Sequence, residues 1–291
     1  MQTHPTRTDV VAGVDGSPES LAAAHWAAQE ALRRGAGLAL VHAWHFRPRP
    51  EPDVPLGTTE RDWAEEILRE AVDSVRAAHP ALTVDADLVS GSAVSALLGA
   101  APDARLLVLG SLGLGGVAGF VTGSVSQRVV SRSLRPVVLV RAGQSAAAEH
   151  LPAVDGVSPD EIPEIPFRSV VVGLDLGRPC DELIEFAFDA ARRRLTDLRA
   201  VHVADGQDAA EGGAQALAEL LLPWRGKYPQ VPVSEAVLSG RPAAELVRAA
   251  EGAGLAVVGR RTGGPAGDHT GPVTRAVLHH VSCPVAVVPH A

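Results

Sequence analysis

Short apolar runs rich in Val, Leu and Ala alternate along the chain with longer segments in which apolar residues recur every three or four positions. The short runs have the length of buried strands, and the longer segments have the periodicity of amphipathic helices. In the first half this pattern predicts strands at residues 9–15, 38–44, 83–89, 105–110 and 137–140, and helices at residues 18–34, 60–79, 93–101 and 124–134. Strands that alternate with helices indicate βαβ units and a parallel sheet.

The same order of landmarks occurs twice in the chain. VVAGVD, which ends at Asp15, recurs 160 residues later as VVVGLD, which ends at Asp175. LLVLG, which ends at Gly110, recurs 149 residues later as LAVVG, which ends at Gly259. The shorter offset of the later landmarks indicates a deletion within the second copy. An internal repeat of this kind predicts two domains with one architecture.

We therefore expect an α/β fold with two doubly wound domains, each a five-stranded parallel sheet of order 3-2-1-4-5 flanked by helices. The domains are predicted at residues 1–141 and 167–291, and the acidic, aperiodic segment 142–166 is predicted to be a linker. In such sheets, ligands bind beyond the carboxyl ends of the strands where the strand order reverses. Strands one and four are neighbours there, so Asp15 and the loop after Gly110 are expected to face one crevice.

Composition narrows the class of partner. The 291 residues carry a formal net charge of −8 and no basic stripe, which argues against a nucleic-acid partner. The apolar runs are strand-sized and the first residues contain no apolar signal core, so we expect a cytoplasmic protein with no membrane partner. Cys180 and Cys283 are the only cysteines, and their spacing suits neither a disulfide framework nor a metal site.

A loop rich in glycine and serine, GSLGLGGVAGFVTGSVS at residues 110–126, lies between a predicted strand and a predicted helix. The N-terminus of a helix leaves backbone N–H groups unpaired, and glycines allow a ligand to approach the main chain closely. This arrangement suits the phosphates of a nucleotide. The alternative is that the glycines only form a tight turn.

With these motifs, the chain resembles the universal stress protein family in its tandem two-domain form. The ATP-binding loop of that family reads Gly, two residues, Gly, nine residues, Gly, then Ser or Thr. Gly110, Gly113, Gly123 and Ser124 fit the pattern at every position. The resemblance covers both repeats and implies an ATP cofactor, with or without Mg²⁺, and a nucleotide-dependent regulatory role in the stress response with at most slow ATP hydrolysis.

The resemblance also assigns binding roles to single residues. Gly13 and Asp15, at the end of the first predicted strand, belong to the predicted site, and Asp15 would reach the ribose. Ala43 would offer backbone groups to the adenine edge. The path of the ribose and phosphates would be lined by Gly110, Ser111, Gly113, Gly123, Ser124, Val125 and Ser126. For Asp15 the alternative is a turn residue. The same Asp at position 175 favours the ligand role, because a turn alone does not explain the recurrence.

The second copy departs from the loop pattern. Gly259 is kept, but Thr262 stands at the second glycine position and Pro272 at the hydroxyl position. Proline has no N–H to donate to a phosphate. We therefore expect the first domain to bind ATP and the second to bind it weakly or not at all. Arg260 and Arg261 are expected to be solvated surface residues.

Three further expectations follow. His42 and His202 recur at equivalent positions and are expected to be structural, bonded to nearby backbone. The apolar last strands would form sheet edges that the family pairs between protomers, which implies a pseudo-dimer of the two repeats and a possible homodimer. The alternative functions are an interaction scaffold without nucleotide binding and an ATP-using enzyme, although no catalytic loop or Walker lysine is present.

Overall fold

The computed structural model describes residues 9–44, 59–111, 124–143, 146–152, 165–204, 208–262 and 270–291. Contacts divide the chain into two units, Met1–Gly143 and Gln144–Ala291. Within the described residues, the helices are all too short or too polar to cross a membrane.

In the first unit, strands and helices alternate as the apolar pattern predicts. The strands are β1 (Asp9–Gly13), β2 (Leu38–Trp44), β3 (Val84–Ser90), β4 (Ala104–Ser111) and β5 (Val137–Arg141). The helices are α1 (Pro18–Arg34), α2 (Glu60–Ala78), α3 (Ala93–Ala100) and α4 (Ser124–Arg132). All strand pairs are parallel in the order β3-β2-β1-β4-β5, which confirms the predicted order.

The second unit repeats this architecture. Its strands are β6 (Val170–Leu174), β7 (Leu198–Ala204), β8 (Val233–Ser239), β9 (Leu255–Arg261) and β10 (Val285–His290). Its helices are α5 (Asp181–Arg194), α6 (Asp208–Lys227), α7 (Pro242–Ala249) and α8 (Pro272–His280). The strands are again parallel, in the order β8-β7-β6-β9-β10.

The core of each unit is the central part of its sheet. Val10, Val11 and Ala12 of β1 are fully buried, as are Leu106 and Leu107 of β4. Successive strand residues point to opposite faces, so burial of consecutive residues means that both faces of the sheet are covered. This is why these strands read as continuous apolar runs rather than as alternating patterns.

Two elements of the first unit end two residues earlier than the sequence pattern predicts. β1 ends at Gly13 because the chain turns at Asp15 and Gly16, and Gly16 has a φ of 82°. α4 ends at Arg132 because the Ser133 hydroxyl accepts a hydrogen bond from the backbone N–H of Arg135 at 3.0 Å, in place of a further helical turn. Polar side chains that bond to their own backbone compete with the continuation of a strand or helix.

Part of the predicted linker packs on the second unit. Ala146–Glu149 form a single 3-10 turn, and His150 forms an antiparallel bridge with Phe167. Glu149 is 2% exposed and lies 3.9 Å from the guanidinium Nε of Arg194 at the end of α5. These residues belong to the folded body of that unit.

Candidate functional site

The turn after β1 places Asp15 at the carboxyl edge of the first sheet. Its Oδ1 accepts the backbone N–H of Ser17 at 3.0 Å and the Ser17 hydroxyl. The Ser17 hydroxyl in turn accepts the N–H of Ser20 at 3.2 Å and caps α1, with Pro18 in the first turn. Ser17 is therefore the N-cap of α1.

Asp15 keeps its negative charge at neutral pH. Burial would raise the pKa of its carboxyl, but the hydrogen bonds from Ser17 and Ser20 and the nearby His42 outweigh burial and lower it. The residue as a whole is exposed at the sheet edge. A charged acceptor therefore lies at the end of the strand where the strand order reverses, although Asp15 is not among the residues that line the cavity of this unit. A carboxylate suits a hydroxyl donor such as a ribose.

The same turn occurs in the second unit. The Oδ1 of Asp175 accepts the N–H of Gly177 at 3.1 Å, as Asp15 does from Ser17. The turn therefore explains why Asp recurs 160 residues on, which corrects the argument that recurrence favours ligand binding. A ligand role for Asp15 stays a prediction that rests on its position alone.

Two glycines of the predicted site are needed for packing inside the unit. A Cβ on Gly13 would lie 2.8 Å from the side chain of Leu109 and 2.9 Å from that of Leu97. A Cβ on Gly110 would lie 2.6 Å from the backbone of Glu19, at the start of α1. Both distances are shorter than carbon atoms tolerate, so a Cβ at Gly110 would displace the backbone of α1, and one at Gly13 would displace two leucine side chains, whether or not a ligand binds.

The two buried serines of the predicted site donate their hydroxyl protons within the protein. Ser111 donates to the carbonyl of Val140 at 3.4 Å, and Ser126 donates to the carbonyl of Gly110 at 2.9 Å. Thr274 of the second unit makes the same bond to Gly259 at 2.9 Å. The Ser126 hydroxyl thus ties α4 to β4 in this structure. Its predicted role at the phosphates stays a prediction.

The start of α4 keeps the groups that suit an anion. Ser124 is exposed and Val125 is half-buried, both in the first turn, where backbone N–H groups have no partner within the helix. Gly113 and Gly123, the other glycines of the loop pattern, lie outside the described residues. Their roles stay predictions.

A cavity of about 540 Å³ opens beside these groups in the first unit. Its walls come from the end of β2, the start of α3 and one face of α4. It is lined by Ala43, Ser92, Ala93, Val94, Ser95, Val125, Arg128 and Arg132. The fold thus brings together Ala43 and Val125, which the resemblance assigned to one site. A volume of this size falls within the range of small-molecule sites.

Sequence reasoning missed four polar residues of this cavity: Ser92, Ser95, Arg128 and Arg132. The Ser92 hydroxyl caps α3 by accepting the N–H of Ser95 at 3.1 Å, after a turn in which Gly91 has a φ of 132°. A Gly-Ser pair before an apolar run is a signal for a helix start. The spacing of the two arginines, one helical turn apart on α4, is the signal that was available for them.

The two recurring histidines are structural, as expected. The Nδ1–H of His42 donates to the carbonyl of Val14 at 2.7 Å. The Nδ1–H of His202 donates to the carbonyl of Leu174 at 3.0 Å. Each bond joins the second strand of its unit to the end of the first strand: Leu174 is the last residue of β6, and Val14 directly follows β1.

The second unit uses the matching edge differently. The N–H and the hydroxyl of Thr262 both donate to the carbonyl of His290, at 2.7 and 2.9 Å. The ring of His290 packs on Gly259, with its Nε2 at 2.8 Å from the position of a Cβ. Thr262 therefore ties the start of its loop to β10. Arg260 is 3% exposed, which corrects the expectation of a solvated residue.

The positions of the second unit that match the polar walls of the cavity carry different residues. The paired bonds of Ser126 and Thr274 align α4 with α8, and the turns at Gly91 and Gly240 align α3 with α7. In this alignment the residues in place of Ser92, Ser95, Arg128 and Arg132 are Arg241, Ala244, Ala276 and His280.

The described residues contain little that suits catalysis. The Sγ of Cys180 accepts the N–H of Leu183 at 3.3 Å at the start of α5, and burial raises the pKa of this thiol to about 11. A thiol that stays protonated is a poor nucleophile. Among the described residues, no group of three or more His, Cys, Asp or Glu is placed to hold a metal ion.

Comparison with known proteins gives consistent matches along the chain. A family model described as the universal stress protein family matches residues 6–141 and 166–289. Universal stress protein Rv2005c of Mycobacterium tuberculosis (strain ATCC 25618 / H37Rv) is 35% identical over 298 residues, which cover 96% of each chain. Universal stress protein Rv2623 of the same strain is 32% identical over 299 residues, covering 96% of this chain and 95% of the relative.

A solved structure supports the fold. The crystal structure of a universal stress protein from Archaeoglobus fulgidus DSM 4304 superimposes with a TM-score of 0.74 at 18% identity. The match covers 97% of this chain and 98% of that one. The two-unit α/β architecture is therefore shared over the whole length of both proteins.

Proposed function

The chain belongs to the universal stress protein family, and from this premise we propose that its first unit binds an adenine nucleotide, with ATP as the favoured ligand. Occupancy of this unit would regulate conformation or the choice of a protein partner. The second unit would bind nucleotide weakly or not at all.

The observation that carries the proposal is the cavity at the carboxyl edge of the first sheet. It joins Ala43 at the end of β2 to Val125 at the start of α4, with two arginines on one wall. Ala43, Ala93, Val94 and Val125 offer apolar surface of the kind on which a base can lie. Clefts that are mostly apolar and contain a few convergent polar groups are the usual form of small-molecule sites.

The loop before α4 supports a phosphate in particular. Its spacing of glycines and serine matches the ATP-binding loop of the family at every position. The N–H groups of the first turn of α4 have no partner within the helix, and together with the helix dipole they favour a negative charge there. Asp15 at the neighbouring strand end would take the ribose.

The contrast between the units supports one site per chain. In the second unit, the N–H and the hydroxyl of Thr262 both donate to the carbonyl of His290, and Pro272 has no N–H to donate. Each lost hydrogen bond to a charged group weakens binding by about 1.5–3 kcal/mol. Two such losses would reduce affinity by roughly 10² or more.

A regulatory role fits the site better than rapid catalysis. The only lysine, Lys227, is paired with Glu185 on the surface of the second unit and lies outside the loop motif. Phosphoryl transfer relies on a lysine or metal clamp on the transferred group. We expect at most slow ATP hydrolysis, well below about 1 s⁻¹. Cytoplasmic location and pairing between repeats or protomers stay predictions.

Calorimetric titration of the full chain with ATP tests the proposal. We expect one ATP per chain, and mass spectrometry of the freshly purified protein should identify an adenine nucleotide. Ala43→Trp would fill the cavity and should abolish binding. Val203→Trp, at the matching position of β7, is the control and should leave the single site intact.

Circular dichroism and a thermal melt would show that both variants are folded. Two ATP per chain would overturn the asymmetry between the units. Absence of any adenine nucleotide in both experiments, or full binding by Ala43→Trp, would overturn the assignment of the site.

A further inference from the structure

We infer that Arg128 and Arg132 form an anion-binding wall in this cavity, and that they set its preference for nucleotides with a longer phosphate chain. The inference rests on the proposed function, because it takes the occupant of the cavity to be an adenine nucleotide. It adds two binding residues that lie outside the loop motif, and it concerns the charge of the ligand rather than its base.

The geometry of α4 places the two arginines together. They are four residues apart on a helix that runs from Ser124 to Arg132, so they project from the same face. Both line the cavity, and both residues are exposed overall, so their head groups are accessible to a ligand. Val129 and Val130, between them, are buried and anchor the helix. The wall therefore presents two positively charged side chains on a helix that is anchored in the unit.

The charge of the cavity differs from that of the whole protein. None of the eight described residues that line it is acidic, whereas the chain carries a net charge of −8. Across the cavity, Ser92 and Ser95 begin α3, where the helix dipole adds partial positive charge. Two like charges one turn apart repel each other slightly, although the helix dipole also favours Arg132 in the last turn of α4. An anion bound between them would offset the repulsion.

Arginine is also the side chain best suited to phosphate. The planar guanidinium carries several N–H donors in a fixed fork, which matches two phosphate oxygens at once. A nucleoside without phosphate offers nothing to these donors. The wall therefore predicts an affinity that rises with the number of phosphates.

The second unit supplies an internal comparison. Ala276 and His280 stand where the first unit has Arg128 and Arg132. The unit with the altered phosphate loop thus also lacks the two arginines, which lie outside the loop pattern on the helix that follows it. This correlation is expected if both serve the same ligand.

The test compares ATP, AMP, adenosine and inorganic tripolyphosphate on the full chain. Arg128→Gln and Arg132→Gln should each weaken ATP binding roughly ten- to hundred-fold, because each removes a charge-assisted hydrogen bond. Adenosine binding should change less than twofold. Arg128→Lys should keep part of the ATP affinity. The affinity of the wild type for ATP should fall with salt more steeply than that of the double variant.

Arg105→Gln is the control, since it removes one positive charge from an exposed residue at the opposite end of β4. It should leave all four affinities unchanged. The inference fails if the double variant binds ATP within twofold of the wild type, or if adenosine and ATP weaken equally. The protein could also bind tripolyphosphate through the two arginines and bind no adenine compound. That result would support the anion-binding wall and overturn the proposed function. Binding of none of the four compounds would overturn both.

Discussion

The two units have the same fold and the same order of strands, yet their carboxyl edges differ. Asp15 and Asp175 make the same turn, His42 and His202 make the same bond, and Ser126 has its counterpart in Thr274. These shared bonds occur in a unit whose loop suits a phosphate and in one whose loop does not. Features that recur therefore report on folding.

The features that do not recur are the better guide to binding. Arg128 and Arg132 of the first unit are replaced by Ala276 and His280, and Thr262, which stands at the second glycine position of the loop pattern, is bonded to β10. The comparison therefore changes how the site residues are weighed. Gly13 and Gly110 become packing residues, whereas the start of α4 and its arginine face become the better candidates for ligand contact.

The largest predicted effect concerns buried ion pairs. At the end of α1, Arg34 pairs with Glu30 of its own helix, but at the end of α5 Arg194 lies beside Glu149 from the preceding segment. Glu149→Ala would leave the Arg194 charge buried, and we expect a loss of about 3 kcal/mol in unfolding free energy. Glu65→Ala, in an exposed pair, should cost under about 0.5 kcal/mol. Denaturant unfolding of the full chain measures both, and equal losses would contradict the prediction.

The second effect concerns the strand-end glycines. In Gly110→Ala the new Cβ would meet backbone atoms of Glu19 and Ser20, which move only with α1, so we expect a loss of about 1–3 kcal/mol. In Gly259→Ala the nearest atoms belong to the ring of His290 near the end of the chain, which can swing aside. That loss should stay under about 1 kcal/mol. Hydrogen exchange measures both variants. Exchange in β1 and β4 of Gly110→Ala should rise more than exchange in β6 and β9 of Gly259→Ala.

For the same reason, Gly110→Ala is a poor probe of binding. A loss of affinity in this variant would report the displacement of α1. If Gly110→Ala is as stable as the wild type, the packing account of this glycine is wrong.

The third effect concerns the residue that follows the first helix of each unit. Gly35 and Leu195 both adopt a left-handed conformation, with φ of 61° and 50°. This conformation costs a non-glycine residue roughly 1–2 kcal/mol, and Leu195 is 90% exposed. After the greater unfolded-state entropy of glycine is allowed for, Leu195→Gly should stabilise the protein by about 0.5–1 kcal/mol. Gly35→Leu should lower the free energy of unfolding. A loss of stability in Leu195→Gly would refute this account.

The smallest effect is a pH dependence confined to the first unit. His25 bonds to Ser74 at 3.1 Å, and its ring lies 5.9 Å from that of His79. Burial lowers the pKa of both rings below 6.5, and the neighbouring His79 lowers that of His25 further. A depressed folded pKa means that stability is complete above pH 6.5 and is lost as the pH falls through the folded value.

The packing of α1 on α2 should therefore weaken by under about 1 kcal/mol between pH 7.5 and 5.5. Amide exchange, corrected for the intrinsic effect of pH, should show the loss in α1 and α2. Glu185 and Tyr228 replace the two histidines in the second unit, so α5 and α6 serve as the reference. Equal losses in both helix pairs would contradict the role of the histidines.

Much of the fold was predictable because its signals are local. The N-cap at Ser17 depends on residues within one helical turn, and the apolar periods depend on residues within a few positions. The repeat then carried the assignments from one unit to the other. The ends of β1 and α4 were predicted two residues too late, because hydrogen bonds from the backbone to the side chains of Asp15 and Ser133 end these elements. Competition between side-chain and backbone hydrogen bonds is not visible in a hydrophobic pattern.

The candidate site was less predictable for the same physical reason. Whether a hydroxyl, a glycine or a charge is available to a ligand depends on groups far away in the chain. Gly110 is confined by Glu19 of α1, and Ser111 donates to Val140 of β5. Arg260 was expected in solvent and is buried.

Periodicity, caps and the internal repeat were sufficient to assign the elements, their parallel arrangement and the contrast between an intact and an altered loop. Packing alone revealed that Ala43, Ser92 and Arg128 line a common cavity, and that Ser126 is already committed to Gly110. Backbone preferences act over a few residues, whereas the contents of a cavity depend on elements that meet only after the sheet has formed. The cavity of the first unit, where distant segments converge, is therefore decided by the tertiary structure.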